Sequence, residues 1–563
     1  MMDIYKYVGI LFCFLVFENS NGQDINNIKN IKPFTWNANF NANTSSFYSD
    51  RIQSAYDPFS YGLALNGSIN IYEISIPFFL QYRDRNTNFG AAFSRFGVRP
   101  RYKWATVYLG HNQVEYNPYV LSGMQFFGVG FDINPGILRV GYLKGELKNP
   151  KFIVDSLNNN NGFTNIYKRN FSAYKIGIGK PKNFVDFYLL DARDNKTENL
   201  FNDSIPLNPQ SNSTFGTTAS LSLFKNLMKI TVNAATSILT NNINASLLDS
   251  ADLAENRAFN FLENHIKINK SSNLNWAGDA NVVFNFGVFS IGTKYQRINP
   301  FYQSFGINFL RGDRENIAIH TSMNLFNNVL NINANYGIDR NNLLNFRTST
   351  TKQKVYDINI QFSPKSWFNL DAQYSNYNFN QQPTIISILD TFKFVQINET
   401  KSVSPSIRFG NKDIQQSIYL NYTLQSLNDL TTIETSNIVT FNRNISSAYQ
   451  WRNRKNKTSF GVTLFTIHNE SEAVVQERYG INLSGSKSFM KNKLAVRVKC
   501  SVSKNKKDKT DDGYLINVGP GIIYQVGKGS ISIQSMYLNR PNPALEKNTN
   551  ELRLFTNFSM PLK

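Results

Sequence analysis

The sequence predicts an all-β fold: a large antiparallel transmembrane β-barrel of about 24 strands, roughly 20–26, with short periplasmic turns and long extracellular loops. Three observations carry this expectation: a sustained alternation of apolar and polar side chains, the lack of any stretch able to cross a bilayer as a helix, and a regular recurrence of short turns. The alternation is clearest over residues 314–375. Ile317, Ile319, Thr321, Met323 and Leu325 interleave with Ala318, His320, Ser322 and Asn324. After Asn327-Asn328, Leu330, Ile332, Ala334 and Tyr336 interleave with Asn331, Asn333, Asn335 and Gly337. Tyr356 to Phe362 and Phe368 to Tyr374 repeat the rule against Asp357, Asn359, Gln361 and then Asn369, Asp371, Gln373. Successive strand side chains point to opposite faces, so each strand has one oily and one wet face.

Beyond residue 22 there is no run of about 18 apolar residues, the minimum for a membrane helix. Without helices a chain crosses lipid only as a closed barrel, because every backbone N–H and C=O there needs a partner. The mean hydropathy of −0.35 agrees, since lumen and loop residues dilute the oily ones. A soluble secreted β-protein of 563 residues would be divided into domains of about 100–200 residues. No linker-like boundary breaks 23–563, which reads as a single barrel domain.

The N-terminus carries the marks of a secretory signal over 1–22. Lys6 supplies positive charge, Tyr7 to Phe17 is apolar and too short to span, and Ser20 and Gly22 are small residues suited to cleavage after Gly22. The bulky Phe12 before Cys13 argues against a lipoprotein. Only Cys500 then remains, so no intrachain disulfide is available despite export. Cys500 shares its parity with Leu494, Val496, Val498 and Val502, which places it facing lipid. Net charge is +20. The basic residues are scattered through turns and loops without an interleaved aromatic patch, which argues against nucleic acid as a partner.

Short turns recur at intervals of roughly forty residues, the length of two membrane strands and a loop. They include Asn134-Pro135-Gly136, Lys225-Asn226, Asn327-Asn328, Pro364-Lys365-Ser366, Gly410-Asn411-Lys412, Lys491-Asn492-Lys493 and Gly527-Lys528-Gly529. The connections between them, such as 151–170, 194–214 and 241–275, are long and polar. Within 241–275, Ala254, Ala258, Phe261, Leu262, His265 and Ile266 recur at helical spacing, predicting a short helix on the barrel mouth. Tyr295, Tyr336, Tyr374, Tyr422 and Trp451 are candidates for the aromatic girdles at the water–lipid boundaries.

Residues 85–125 depart from the pattern and read as an in-folded or rim segment. Phe93 to Trp104, Tyr116-Asn117-Pro118-Tyr119 and Gly123 are dense in Gly, Pro, aromatics and Arg. With Tyr295 to Gly306 and Gly337 to Leu343, this stretch resembles segments of Bacteroidetes outer-membrane β-barrel proteins of porin-like function. The resemblance implies an outer-membrane barrel, either porin-like or part of an envelope assembly, and brings no catalytic residues.

Candidate sites are few. His111, His265, His320 and His468 are far apart and lack metal-ligand spacing, and no G-x-S-x-G elbow supports a hydrolase. No enzyme activity, catalytic residue, metal or cofactor is expected. The best candidates are the basic residues Arg83, Arg85, Arg95, Arg99, Arg101 and Lys103. They form either a solvated rim touching lipopolysaccharide or a lumen wall whose guanidinium forks hold anions. The expected function is a porin-like conduit for small solutes, anions included, in a Gram-negative outer membrane after signal removal. The alternative is a structural or accessory barrel with a closed lumen. Expected partners are outer-membrane lipid and lipopolysaccharide, small solutes, and other envelope proteins.

Overall fold

The computed structural model describes residues 33–50, 58–84, 94–148, 151–153, 162–165, 167–195, 208–248, 267–383, 394–430, 439–542 and 547–562. The predicted signal segment, Arg85 and the predicted helix of Ala254 to Ile266 lie outside the described residues. The main sheet is one antiparallel barrel of 26 strands in which each strand pairs with its neighbours in sequence. Closure is direct: the first strand, Phe34–Ser49, pairs with Phe59–Ile71 on one side and with the last strand, Lys547–Leu562, on the other. Phe40 opposes Met560, and the Phe40 and Phe558 rings meet edge to face at 6.2 Å.

The strand number is two above the central expectation, for two local reasons. Ser94–Val98 and Arg101–Tyr102 are halves of one wall strand interrupted at Arg99-Pro100, both pairing with Ile74–Arg83 and Ala105–Gln113. Proline has no N–H for the ladder, so the strand breaks there and its periodicity is hidden. At the other end, Lys547–Leu562 follows the last short turn unaccompanied and closes the barrel.

Three of the short turns share one conformation. Phe224-Lys225-Asn226, Phe326-Asn327-Asn328 and Met490-Lys491-Asn492 each place three successive residues at positive φ, between 50° and 75°. Asn tolerates this left-handed region better than other non-glycine residues and ends all three triplets. Glycine takes the equivalent strain at Gly287 (φ 82°) and Gly527 (φ 59°). Lys365, Lys412, Lys491 and Lys528 thus belong to turns on one rim, and the connections 149–167, 196–210 and 241–271 leave from the other.

The two faces differ as the alternation requires. Ile176, Ile178, Phe187 and Leu464 are each more than half exposed on the outer face, where a bilayer would cover them. Tyr142–Tyr174 and Tyr336–Tyr356 form cross-strand ring pairs on that face, with centroids 5.1 and 5.0 Å apart. Cys500 is half-buried and lies opposite Leu483 and Val518, in the outward set with Val498. The buried hydrophobic cluster is not spread around the barrel. Among the described residues it draws only on those between Tyr108 and Phe305.

Candidate functional site: the lumen and its in-folded loops

Two connections on the long-loop rim turn into the lumen. Residues 114–124 join Ala105–Gln113 to Gln125–Ile133, and residues 299–313 join Phe289–Ile298 to Arg314–Leu325. Each begins close to an Asn-Pro pair, Asn117-Pro118 and Asn299-Pro300, which favours turning over strand continuation. The Asn117 side chain accepts from the Tyr119 N–H at 2.8 Å, closing a tight turn, and Leu121 returns to Tyr116 by a backbone bond of 2.9 Å. The loops then meet. Leu121–Ser122 pairs in parallel with Gly306–Ile307, the Tyr302 hydroxyl donates to the Tyr119 carbonyl at 2.7 Å, and the Ser304 hydroxyl donates to the Val120 carbonyl at 2.7 Å.

The joined loops are fixed to the inner wall. Asn117 donates to the Thr217 carbonyl at 2.9 Å and to the Thr218 hydroxyl at 3.0 Å. Asn212, fully buried, accepts from the Phe305 N–H at 3.0 Å and donates to Ser237 and Ile238. Arg169 forms a two-pronged bond with Asp194 at 2.6 and 2.8 Å while its guanidinium lies 3.4 Å from the Phe305 ring centroid. Tyr116 stacks on Tyr188 at 5.5 Å beside the Lys175–Asp132 pair. Space is tight: a Cβ on Gly216 would lie 2.3 Å from Val120, and one on Gly306 2.2 Å from the Val120 carbonyl. Tyr119, Val120 and Leu121 are 1% exposed or less. Burying each such side chain contributes about 1.5–3 kcal/mol, so the loops behave as part of the wall. Burial also pushes the phenols of Tyr116, Tyr119 and Tyr302 well above their ordinary value and keeps them neutral; the Tyr119 hydroxyl accepts from the Gln296 amide at 2.8 Å.

The basic residues singled out in sequence separate into distinct positions. Arg83 and Arg95 share the inward parity of Gln81, since Gln81 opposes Arg95. Arg99 bonds the inward Asn112 at 3.2 Å and lies over the Tyr108 ring, which belongs to the buried cluster. Arg101 opposes Ser75, of the same parity. Gln81 to Ser75 is six strand positions, so Arg95, Arg99 and Arg101 form a file about 20 Å long down one inner wall, with Arg83 at its long-loop end. None of these four makes a carboxylate ion pair among the described residues. Lys103 differs: it sits in the turn before Trp104 and pairs with Glu73 at 2.9 Å on the short-turn rim. The stretch 85–125 likewise divides, with 94–113 forming wall strands and 114–124 turning inward.

Elsewhere the inner wall is wet and mostly neutral. Asn331, Asn333, Asn359, Gln361, Gln373 and Ser402 line a cleft of about 380 Å³. His320 lies on this face against Gly292, whereas His111 packs outward between Phe96 and Phe127 and His468 pairs with Glu470 and Glu477. Among the described residues no group of three or more His, Cys, Asp or Glu is placed to hold a metal. Sequence reasoning did not find Arg169, Asp194, Asn212 or the pairing of the two loops. The only signal was the shared Asn-Pro-aromatic composition of 117–119 and 299–301.

None of the family models compared matches this chain, and none of the curated proteins does. Among solved structures, the chain is similar to the P pilus usher (PapC) translocation pore, with 11% identity and a TM-score of 0.38 over 94% of this chain and 100% of that one. It is also similar to OccK11 (OpdR) of Pseudomonas aeruginosa, with 7% identity and a TM-score of 0.30 over 95% and 97% of the two chains. A ferric enterobactin receptor (PfeA) mutant of the same organism gives 8%, 0.39, 93% and 80%. At these identities and scores the likenesses carry no argument about function.

Proposed function

We propose that this barrel sits in the outer membrane of a Gram-negative cell and acts as a porin-like conduit for small polar solutes, with a preference for anions. The apolar outer face suits lipid, and the Asn-, Gln- and Ser-rich inner face suits water and hydrated solutes. The carrying observation is the inward file of Arg95, Arg99 and Arg101, continued by Arg83, without carboxylate partners among the described residues. Fixed positive charge on a confined wet wall raises the local concentration of anions and lowers that of cations. The loops 114–124 and 299–313 narrow the lumen on the side of the wall they cover. The mechanism is passive: selection by cross-section and wall charge, with lipopolysaccharide and lipid outside.

The in-folded loops favour a second reading, a structural barrel of an envelope assembly with a closed lumen. Single-channel recording of the purified protein in planar bilayers separates the two. Stepwise anion-selective currents support the conduit, and a protein that inserts without conducting supports the scaffold.

A further inference from the structure

The short-turn mouth of the barrel carries a second arginine cluster, distant in sequence from the first. Arg408 lies near the end of Phe394–Gly410 and Arg452 near the end of Val439–Asn453, on the two strands that flank Ile414–Asp429. Arg408 opposes Ser417 and Arg452 opposes Gln415, neighbouring positions of the same inward parity. Two strands apart and two residues offset, their backbones are about 12 Å from one another, within reach of a shared ligand for side chains of arginine's length. Arg454, in the following turn, lines the same cleft of about 580 Å³, as do Gln415, Tyr419 and the half-exposed Trp367.

The cleft holds three guanidinium groups and no carboxylate: none of its lining residues is Asp or Glu. None of the three arginines makes an ion pair among the described residues. Three like charges at one concave surface repel, and an oxyanion relieves that repulsion while accepting paired N–H bonds from planar forks. Gln415 and the Tyr419 hydroxyl add neutral donors. Trp367 offers a ring face to the organic part of a ligand.

From this we propose that the cleft is a binding site for phosphomonoesters, with Arg408, Arg452 and Arg454 holding the phosphate and Trp367 contacting an attached ring. The site deepens the proposed anion conduit by naming a solute class and a stopping place at the short-turn mouth. It rests on that reading for its role in transport, though not for its chemistry.

Isothermal titration calorimetry on the detergent-purified protein, at low ionic strength, tests the site without requiring conduction. Inorganic phosphate and phenyl phosphate are the probes, with acetate as a carboxylate control. Saturable binding of phosphate is expected, tighter for phenyl phosphate and weaker for acetate. Arg408→Gln with Arg452→Gln should weaken phosphate binding tenfold or more, whereas Lys528→Gln, on the same rim but outside the cleft, leaves it unchanged. Trp367→Ala should remove only the advantage of phenyl phosphate. Arg452→Lys, which keeps the charge and loses the fork, should fall between wild type and the double variant. No saturable binding, or binding that survives the double variant, overturns the proposal. Binding in a protein that does not conduct leaves the site standing and removes the conduit.

Discussion

The hydroxyl of Tyr302 donates to the backbone carbonyl of Tyr119 at 2.7 Å, tying together two loops 183 residues apart in the chain. With the parallel pairing of Leu121–Ser122 and Gly306–Ile307, this contact turns two loose connections into one body pressed against the wall. The lumen is therefore asymmetric: the wall over residues 108–305 faces packed side chains, and the wall beyond residue 314 carries mostly amides and hydroxyls, with Arg408 and Arg452 at its short-turn end.

Loop seating depends on small residues beneath it. Gly216→Val puts carbon where the Val120 side chain already lies, at 2.3 Å from a Cβ. Overpacking of this kind costs about 1–3 kcal/mol, and the loops can relieve it by lifting while the strands stay paired. Conductance per channel should rise, with unchanged resistance of the barrel to detergent unfolding. Equal conductance of variant and wild type contradicts a seated, lumen-narrowing loop.

Arg169 and Asp194 form a buried pair that also supports Phe305. Arg169→Leu leaves the Asp194 carboxylate buried without its partner, a change worth about 3–5 kcal/mol. The midpoint of thermal unfolding should fall, and the double change Arg169→Leu with Asp194→Leu should restore much of the loss. A neutral single variant removes the pair from any structural role.

Much of the barrel was legible because its signals are local. Alternation in 314–375 and the triplets ending in Asn226, Asn328 and Asn492 each depend on neighbours in sequence. The wall strand at Ser94–Val98 was obscured because its inward side chain at Gly97 is replaced by the Phe79 ring, 2.6 Å from where a Cβ would be. Gly110, at φ 81°, breaks the neighbouring strand's pattern too. The arginines could be named but not oriented until that strand was recognised. The pairing of 114–124 with 299–313 is wholly non-local, and nothing in either segment specifies its partner at that distance.

The proposed orientation across the membrane rests on loop length. With long loops outside, protease added to intact cells should cut within 149–167, 196–210 or 241–271 and spare the turns carrying Lys365, Lys412, Lys491 and Lys528. Cleavage at those four turns in intact cells reverses the orientation.

Cys500 shares the outward set with Val498 and lies opposite Leu483. In liposomes a lipid-soluble maleimide should label it while a membrane-impermeant one does not. Rapid labelling by the impermeant reagent places Cys500 in the lumen and inverts the faces of the strand Leu494–Lys507.

The central claim is that arginines on the inner wall make this barrel an anion-preferring conduit, and ion selectivity measures it most directly. Fixed charge acts over about 10 Å at 0.1 M salt and less at higher salt. In a planar bilayer under a KCl gradient, the wild-type reversal potential should indicate chloride preference. Arg95→Gln, Arg99→Gln and Arg101→Gln together should shift it toward potassium, more strongly in dilute salt. A cation-preferring wild type, or a triple variant with unchanged reversal potential at every salt concentration, contradicts the account.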